Sequence, residues 1–494
     1  MEQAGQWVAQ TALARWQCQQ TILILAGKGN NGGDALVAAR ILIQKGFHPE
    51  VYIDDENPQK QTPSRQTQQQ KLEQNGGSCQ LYSQGCLQPL KGKSLLVIDG
   101  LLGLGLKGPL RPGTAMNMLR EVASLEPADV LAIDIPSGMQ ADIWAENEPP
   151  LAASTTLTFG AYKPCHLLSP ACLACGQVLQ RRLGFDTEVV TQVLRETPDQ
   201  CLEAIEPSRK PDAPASIWQD LPASAHKFER GHVLVMGGSP GKWGAPVMSG
   251  LAASRAGAGW VSLALAGEQA DIGQIPLNLT SENLWRQGQI DVAACYDFIA
   301  NRKVRGLVIG PGLQQSPITT ELLTMLSEFV NNGQLFVVFD GGALHGLGPL
   351  LQDQDIDPNR LLGTPHPGEW QKMRISNHRW QSLEELQQVR NELFDRIGLS
   401  VIYKTATPIA PLPRTSGQLA RIHPGQQIAL AKAGSGDLLT GLAVVIGLRG
   451  IPAYQAGLQA YHQLHIAASQ ASNSKNPHSL MADDLLAEVA QLAI

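Results

Sequence analysis

The sequence predicts an α/β protein of two domains, and three observations carry that prediction. Short β-branched runs alternate with helical stretches twice along the chain, once on each side of a proline-rich interval. Two different glycine-rich turns, one in each half, lie between an apolar run and a helix or open directly into a helix. At 494 residues the chain is too long for a single hydrophobic core.

Taken in order, MEQAGQWVAQ is expected to be an amphipathic helix already in progress, not a signal sequence. Strands are expected at 21–25, 50–53, 95–98, 130–133 and 155–159, with helices at 35–44 and 115–123. The glutamine-rich stretch 59–78 suits a loop or an exposed helix without chemistry. Pro207, Pro211, Pro214 and Pro222 stand in a segment of little apolar periodicity, which marks 206–225 as a linker between domains 1–205 and 226–494. Beyond it the alternation resumes, with strands expected at 233–236, 261–265, 306–309, 335–339 and 400–403.

Composition excludes several partners. Net charge is −6, aromatic content is 5%, and no basic stripe is present, which argues against nucleic acid and anionic membrane. No run approaches the length of a membrane span. Eight Cys in a chain this size do not form a disulfide framework. Cys172 and Cys175 make one C-x-x-C with Cys165 nearby, but a metal site would need a second pair. Reduced structural cysteines in a cytoplasmic protein are the expectation.

The first turn runs Gly27-Lys28-Gly29-Asn30-Asn31-Gly32-Gly33-Asp34. Gly27, Gly29 and Gly32 satisfy G-x-G-x-x-G, and Asp54 and Asp55 end the next strand, where a dinucleotide fold keeps its ribose acid. Alone, that pattern suggests an NAD-dependent oxidoreductase, with a structural tight turn as the lesser alternative. Asn30, Asn31 and Asp34 fit a pyrophosphate poorly and suit recognition of a polar substrate, or capping of the helix. Asp99 leads into Gly103-Leu104-Gly105-Leu106-Lys107-Gly108, and Asp134 starts Asp134-Ile135-Pro136-Ser137-Gly138. Three strand ends thus deliver Asn31, Asp99 and Ser137 to one carboxyl edge, as hard oxygen ligands suited to a monovalent cation. Each Asp alone is also an ordinary turn former.

GKGNNGGDALVAAR, the D-x-L-L-G-x-G segment at Asp99 and IDIPSG closely resemble the NAD(P)H-hydrate epimerases across the N-terminal half. The resemblance implies a Rossmann-like three-layer domain acting on NADH or NADPH hydrated at the nicotinamide ring. It implies substrate contact by Asn30, Asn31, Gly32, Gly33 and Asp34, by Gly103, Leu104, Gly105, Leu106, Lys107, Gly108 and Pro109, and by Asp134. It further implies potassium held by Asn31, Asp99 and Ser137. The hydrate is a carbinolamine: its ring nitrogen can expel hydroxide to give an iminium that water re-enters from either face, with Asp134 or Lys107 moving the proton. Lys28 and Ala35 depart from the family's usual residues. The first helix is expected to be truncated by about two dozen residues relative to the family, a helix-plus-turn length.

The second half carries Gly237-Gly238-Ser239, Gly244-Ala245, Gly310-Pro311-Gly312, Thr364-Pro365-His366-Pro367-Gly368-Glu369, Lys404-Thr405 and Ala433-Gly434-Ser435-Gly436-Asp437. Glycine amides before a helix can cradle a phosphoryl group in transfer, and the adjacent Asp can take the proton of an attacking hydroxyl. His366, flanked by two prolines, suits a rigid turn as well as a ligand contact. This set resembles the ribokinase-like ADP- or ATP-dependent NAD(P)H-hydrate dehydratases, and the fusion resembles the bifunctional bacterial repair enzymes. The resemblance implies phosphorylation of the ring hydroxyl and elimination of phosphate, with ADP and its Mg2+ as co-substrate. Ala245, Gly312, His366 and Asp437 would contact the hydrate, Asp437 as general base. Lys404, Thr405, Ala406, Thr407, Pro408 and Gly436 would contact the nucleotide. A homo-oligomer is implied too.

Departures concentrate at the nucleotide loop. The family's K-G-x-x-T becomes Lys404-Thr405-Ala406-Thr407-Pro408, G-P-G-x-G ends in Gln314, D-A-D-A-L becomes Asp340-Gly341-Gly342-Ala343-Leu344, and Phe228 replaces a Gly. Three further readings stand beside the bifunctional one: a ribokinase-like small-molecule kinase, a nucleotide-binding protein with a decayed dehydratase half, and a dinucleotide oxidoreductase.

Overall fold

A computed structural model of the chain describes all residues except 17–19, 55–57, 146, 185–186, 198–200, 206–225, 267–278 and 493–494. The chain divides into two compact units, Met1–Glu196 with Gln381–Leu383, and Thr197–Trp380 with Glu384–Ile494. Both are α/β, as expected. The expected linker and Asp55 lie outside the described residues.

The first unit is built on seven parallel strands: β1 (Thr21–Ala26), β2 (Glu50–Ile53), β3 (Gln80–Leu81), β4 (Leu95–Gly100), β5 (Asp129–Ile133), β6 (Thr155–Phe159) and β7 (Gln177–Arg181). Their order is β3-β2-β1-β4-β5-β6-β7. Alternate residues point to opposite faces. Ile22, Ile24, Val51, Ile98, Leu131 and Leu157 pack with Val8, Ala12, Leu36 and Leu42 of the Glu2–Arg15 and Asn30–Gln44 helices. Leu23, Leu25, Tyr52, Val97, Val130 and Ala132 pack with Met118, Leu119 and Val122 of the Thr114–Ser124 helix. Two buried faces give three layers and explain the unbroken apolar runs in the sequence.

The second unit contains β8 (Leu202–Ala204), β9 (His232–Gly237), β10 (Trp260–Leu265), β11 (Thr280–Ser281), β12 (Trp285–Arg286), β13 (Gln289–Ile290), β14 (Val304–Ile309), β15 (Phe336–Phe339), β16 (Leu361–Gly363), β17 (Ser400–Val401), β18 (Ile409–Pro411) and β19 (Ala420–Ile422). Its main sheet is parallel, in the order β11-β10-β9-β14-β15-β16-β17. With the β12–β13 hairpin set aside, this is the strand order of the first unit again. β8 pairs in parallel with β19, so the domain boundary expected at 205 moves back to 196: hydrogen bonds tie 202–204 to the second unit.

One apolar face of this sheet, including Val233, Val235, Leu263, Val308 and Val338, packs on the Gly244–Arg255, Ser435–Gly447 and Ala453–Ala471 helices. The first two of these helices meet at Gly441, where an added Cβ would lie 2.2 Å from the Ser249 carbonyl oxygen. The close approach therefore needs glycine. Among the described residues no helix is long and apolar enough to cross a membrane.

The contact at Gly441 yields a stability test. Gly441→Ala should destabilise the second unit by about 1–3 kcal/mol through overpacking. Gly244→Ala, whose new Cβ meets nothing within 4 Å, should be close to neutral. Thermal unfolding of the two variants checks the difference.

Candidate functional site

In each unit, glycine-rich loops leave the carboxyl ends of the central strands beside the point where strand order reverses, the place an open α/β sheet binds ligands.

In the first unit the Gly27–Gly33 turn feeds the Asn30–Gln44 helix, with Gly29 as its N-cap. A Cβ on Gly32 would lie 1.9 Å from the Gly27 carbonyl oxygen, and one on Gly27 would lie 1.7 Å from that of Leu101. The turn is thus folded tightly on itself and against the loop after β4. Asn30 accepts a hydrogen bond from Thr62 Oγ1 at 3.2 Å. Asn31 Nδ2 donates to the carbonyls of Leu102 (2.7 Å) and Ile133 (3.1 Å), which links the loops after β1, β4 and β5.

Asp99 is fully buried. Its carboxylate accepts from Ser137 N (2.8 Å), Ser137 Oγ (2.6 Å) and Leu101 N (3.3 Å), all neutral donors. Burial pushes its pKa up, and the Ser137 and Leu101 hydrogen bonds oppose the rise. Asn31, Asp99 and Ser137 do converge, and the donor set is oxygen-rich and short of positive charge. That is chemistry a monovalent cation fits.

Asp134 stands beside this cluster, and its carboxylate is paired with the ammonium of Lys163, a residue the sequence motifs did not single out. Thr158 Oγ1 also donates to Asp134 Oδ1 at 3.0 Å, and Lys163 Nζ donates to Thr158 Oγ1 at 2.8 Å and to the Phe159 carbonyl at 3.1 Å. Lys107, expected as the alternative to Asp134 for moving the proton, is exposed on the loop after β4. The sequence does contain a cue for Lys163: Gly160-Ala161-Tyr162-Lys163-Pro164 leaves the carboxyl end of β6 as the other site loops leave β1, β4 and β5.

Asp34, at the start of its helix, has its pKa pushed by burial to about 7; Asp134 adds to the rise and the Met1 amino group, 3.9 Å away, opposes it. Of the substrate loop, Gly103 lies near Asn31, while Leu104 and Pro109 are exposed. Gly108 N donates to Gln140 Oε1 at 3.0 Å. The 59–78 stretch proves to carry the Pro63–Gln74 helix and one consequential residue. Fully buried Arg65 donates through Nε to the Gly27 carbonyl at 3.2 Å, bracing the glycine turn from behind.

Among the described residues the one cluster of Cys, His and acid side chains tight enough for a metal is Cys165, His166 and Cys175. Both ring nitrogens of His166 already bond protein groups, Lys163 N at 3.1 Å and the Asp134 carbonyl at 2.8 Å. The cysteines are free.

In the second unit, Lys404 follows β17 and Asp340 follows β15. Their side chains meet at 2.7 Å, with Glu369 3.6 Å from the same ammonium. Thr364 Oγ1 donates to Asp340 at 2.5 Å. Asp437, in the first turn of the Ser435–Gly447 helix, is raised to about 7 by burial and by Asp340, against the pull of Lys404. Burial disfavours the charge on Lys404, but Asp340 and Glu369 outweigh it and its pKa rises. An added Cβ on Gly436 would stand 3.4 Å from Lys404 Nζ, and one on Gly312 3.3 Å from Ala245 Cβ. The Lys404–Gly436 and Gly312–Ala245 pairs are therefore each brought together.

His366 is the N-cap of the Pro367–Met373 helix. Its Nδ1 accepts from Gly368 N (3.0 Å) and Glu369 N (3.3 Å), while Glu369 accepts from His366 N at 2.9 Å. The rigid turn is thus real, and its Nε2 edge is left 3.5 Å from Glu369 with the side chain 55% exposed. In the altered loop Thr405 Oγ1 bends back to the Thr407 carbonyl at 2.8 Å, within a hairpin closed by Tyr403 and Ile409.

Residues 1–165 match the family described as YjeF-related protein N-terminus, and residues 233–491 match NAD(P)H-hydrate dehydratase. The chain is 30% identical to the bifunctional NAD(P)H-hydrate repair enzyme Nnr of Moorella thermoacetica, over 98% of this chain and 90% of that protein. It is 28% identical to the enzyme of the same name from Escherichia coli, over 100% of this chain and 88% of that protein. A crystal structure of the ADP/ATP-dependent NAD(P)H-hydrate dehydratase from Bacillus subtilis, with ATP/Mg2+, is 26% identical with a TM-score of 0.41, covering 55% of this chain and 92% of that one. With both halves matched in order and nearly the whole length aligned, the chain belongs to the bifunctional NAD(P)H-hydrate repair enzymes.

Proposed function

We propose that the chain repairs hydrated NADH and NADPH in two steps, the first unit interconverting R and S hydrates and the second dehydrating the S form with ADP. The observation that carries this reading is the presence of two separate carboxylate–ammonium sites, each at the carboxyl edge of its own parallel sheet and each matched to its own family. A stand-alone kinase or oxidoreductase would leave one of them without work.

For the epimerase, Asp134 and Lys163 are the acid–base pair. A proton delivered to the ring hydroxyl lets the carbinolamine release water as the ring nitrogen forms an iminium. Water then returns from either face and gives its proton back. Asn30 to Asp34 and the Gly103–Pro109 loop line the substrate's path. Asn31, Asp99 and Ser137 would hold potassium, whose charge would offset the buried Asp99 carboxylate and keep the three loops in register.

For the dehydratase, Asp437 takes the proton of the ring hydroxyl as that oxygen attacks the terminal phosphorus of ADP, the bond from that phosphorus to the bridging oxygen breaks, and AMP leaves. The ring nitrogen then expels phosphate by breaking the C–O bond, and loss of a proton from the neighbouring ring carbon restores the double bond. The backbone of Gly434 to Gly436, at a helix N-terminus, faces the phosphoryl group. The carboxylates of Asp340, Glu369 and Asp437 outnumber the one ammonium they share, an imbalance that suits the Mg2+ that accompanies ADP.

Three outcomes follow. With mixed hydrates, ADP and potassium, dihydronicotinamide absorbance should recover completely, whereas Asp99→Asn should restore only the S fraction at the early plateau. Recovery of both epimers by that variant at the normal rate would refute the potassium assignment. Because Asp437 must be deprotonated to act, dehydratase kcat/KM should rise with pH up to about 7 and then level off. Asp437→Asn should lose about 10²–10⁴-fold and the pH dependence with it, and a variant retaining the profile would remove Asp437 from the role. Thr405→Gly frees backbone now bridged by Thr405 Oγ1, and should lower the KM for ADP severalfold without changing kcat.

A further inference from the structure

We propose that His166 is a positioning residue of the epimerase, clipping the backbone of Asp134 to that of Lys163 so that the acid–base pair keeps its geometry. The inference deepens the reading of Asp134 and Lys163 above and depends on it.

Asp134 is held in a conformation that L-residues avoid. Its φ is +67°, and Ile135 N donates to the Ile133 carbonyl at 2.9 Å, which makes Asp134 the centre of a γ-turn of the positive-φ kind. Such a residue is strained and persists where its surroundings over-determine it. Here they do. Asp134 N donates to the Leu157 carbonyl at 2.9 Å, the carboxylate is taken by Lys163 and Thr158, and the carbonyl accepts from His166 Nε2 at 2.8 Å.

His166 has little choice in this. It is the third residue of the short Pro164–Leu167 helix, and its Nδ1 reaches back to accept from Lys163 N at 3.1 Å. A neutral imidazole that accepts at Nδ1 carries its proton at Nε2, so that nitrogen donates to the Asp134 carbonyl. Burial and the Lys163 ammonium push its pKa down to about 4, so the ring stays neutral at working pH and the two hydrogen bonds set its tautomer. The ring touches neither reacting group. It fixes the main chain on which both are mounted, across a separation of 29 residues between Asp134 and Lys163.

The two amides that resemble parts of imidazole separate the two bonds. His166→Gln places an amide nitrogen where Nε2 stands and keeps the bond to Asp134. His166→Asn keeps an acceptor for Lys163 N but does not reach Asp134. Epimerisation is followed in the full-length protein without ADP, by chromatographic equilibration of purified R hydrate. The dehydratase rate on S hydrate in the same chain is the internal control. His166→Asn should lower epimerase kcat about 10–100-fold with KM within about twofold, the scale set by small misplacement of reacting groups. His166→Gln should restore kcat to within severalfold of the parent, and thermal unfolding should be alike for both.

Equal, undiminished rates in both variants would overturn the proposal, as would activity kept by Asn and lost by Gln. Parallel loss of kcat, substrate affinity and melting temperature in both would mark His166 as packing alone. Asp134→Asn tests the underlying assignment separately: if that variant still epimerises at the parental rate, the reading of Asp134 fails whatever His166 does.

Discussion

Everything in both units hangs on the reversal of strand order beside the first strand of each sheet. In the first unit β1 is flanked by β2 and β4, in register from Thr21 opposite Leu95 to Ala26 opposite Gly100. Chain leaving β1 goes on to a helix on one face of the sheet and chain leaving β4 to a helix on the other, their first residues packed together at the switch point where an open α/β sheet has its crevice. The same divergence occurs between β9 and β14. Into each crevice the strands deliver glycine-rich backbone, and the adjoining strands deliver a carboxylate and an ammonium from farther along the chain.

What the amino-acid order disclosed was the crevice and its local motifs. Long β-branched strands such as 95–100 and 232–237 were legible because burial on both faces leaves them no polar alternation to confuse. β3, with both of its residues exposed, and β16, with three residues, fall below the length at which any period shows. Asn31, Asp99, Ser137 and Asp437 were legible because each sits within a turn whose composition announces it. Lys163 was legible only as a loop residue beyond the end of a strand, and His166 and Arg65 not at all. Their work depends on which distant loop the fold sets against them, and nothing in the sequence near Lys163 records that Asp134 ends the neighbouring strand.

The second site shows how a departure from family pattern can be absorbed. Thr405 puts a side chain where the family's K-G-x-x-T has glycine, on backbone that a nucleotide would approach. The structure folds Thr405 Oγ1 onto the Thr407 carbonyl, so the hydroxyl serves as an internal brace, and the Lys404 ammonium keeps its place between Asp340 and Glu369.

The first site is built to an unusual degree from main chain. Gly27 offers a carbonyl to Arg65, Asn31 bonds two carbonyls, His166 holds another, and Ser137 and Leu101 present amides to Asp99. Replacement of side chains by alanine leaves such groups chemically intact. An alanine scan of this half would therefore report only the side chains that hold the main chain and never the peptide groups they hold. The informative substitutions would be those that redirect the peptide path, such as proline at a donating amide or a side chain at Gly32.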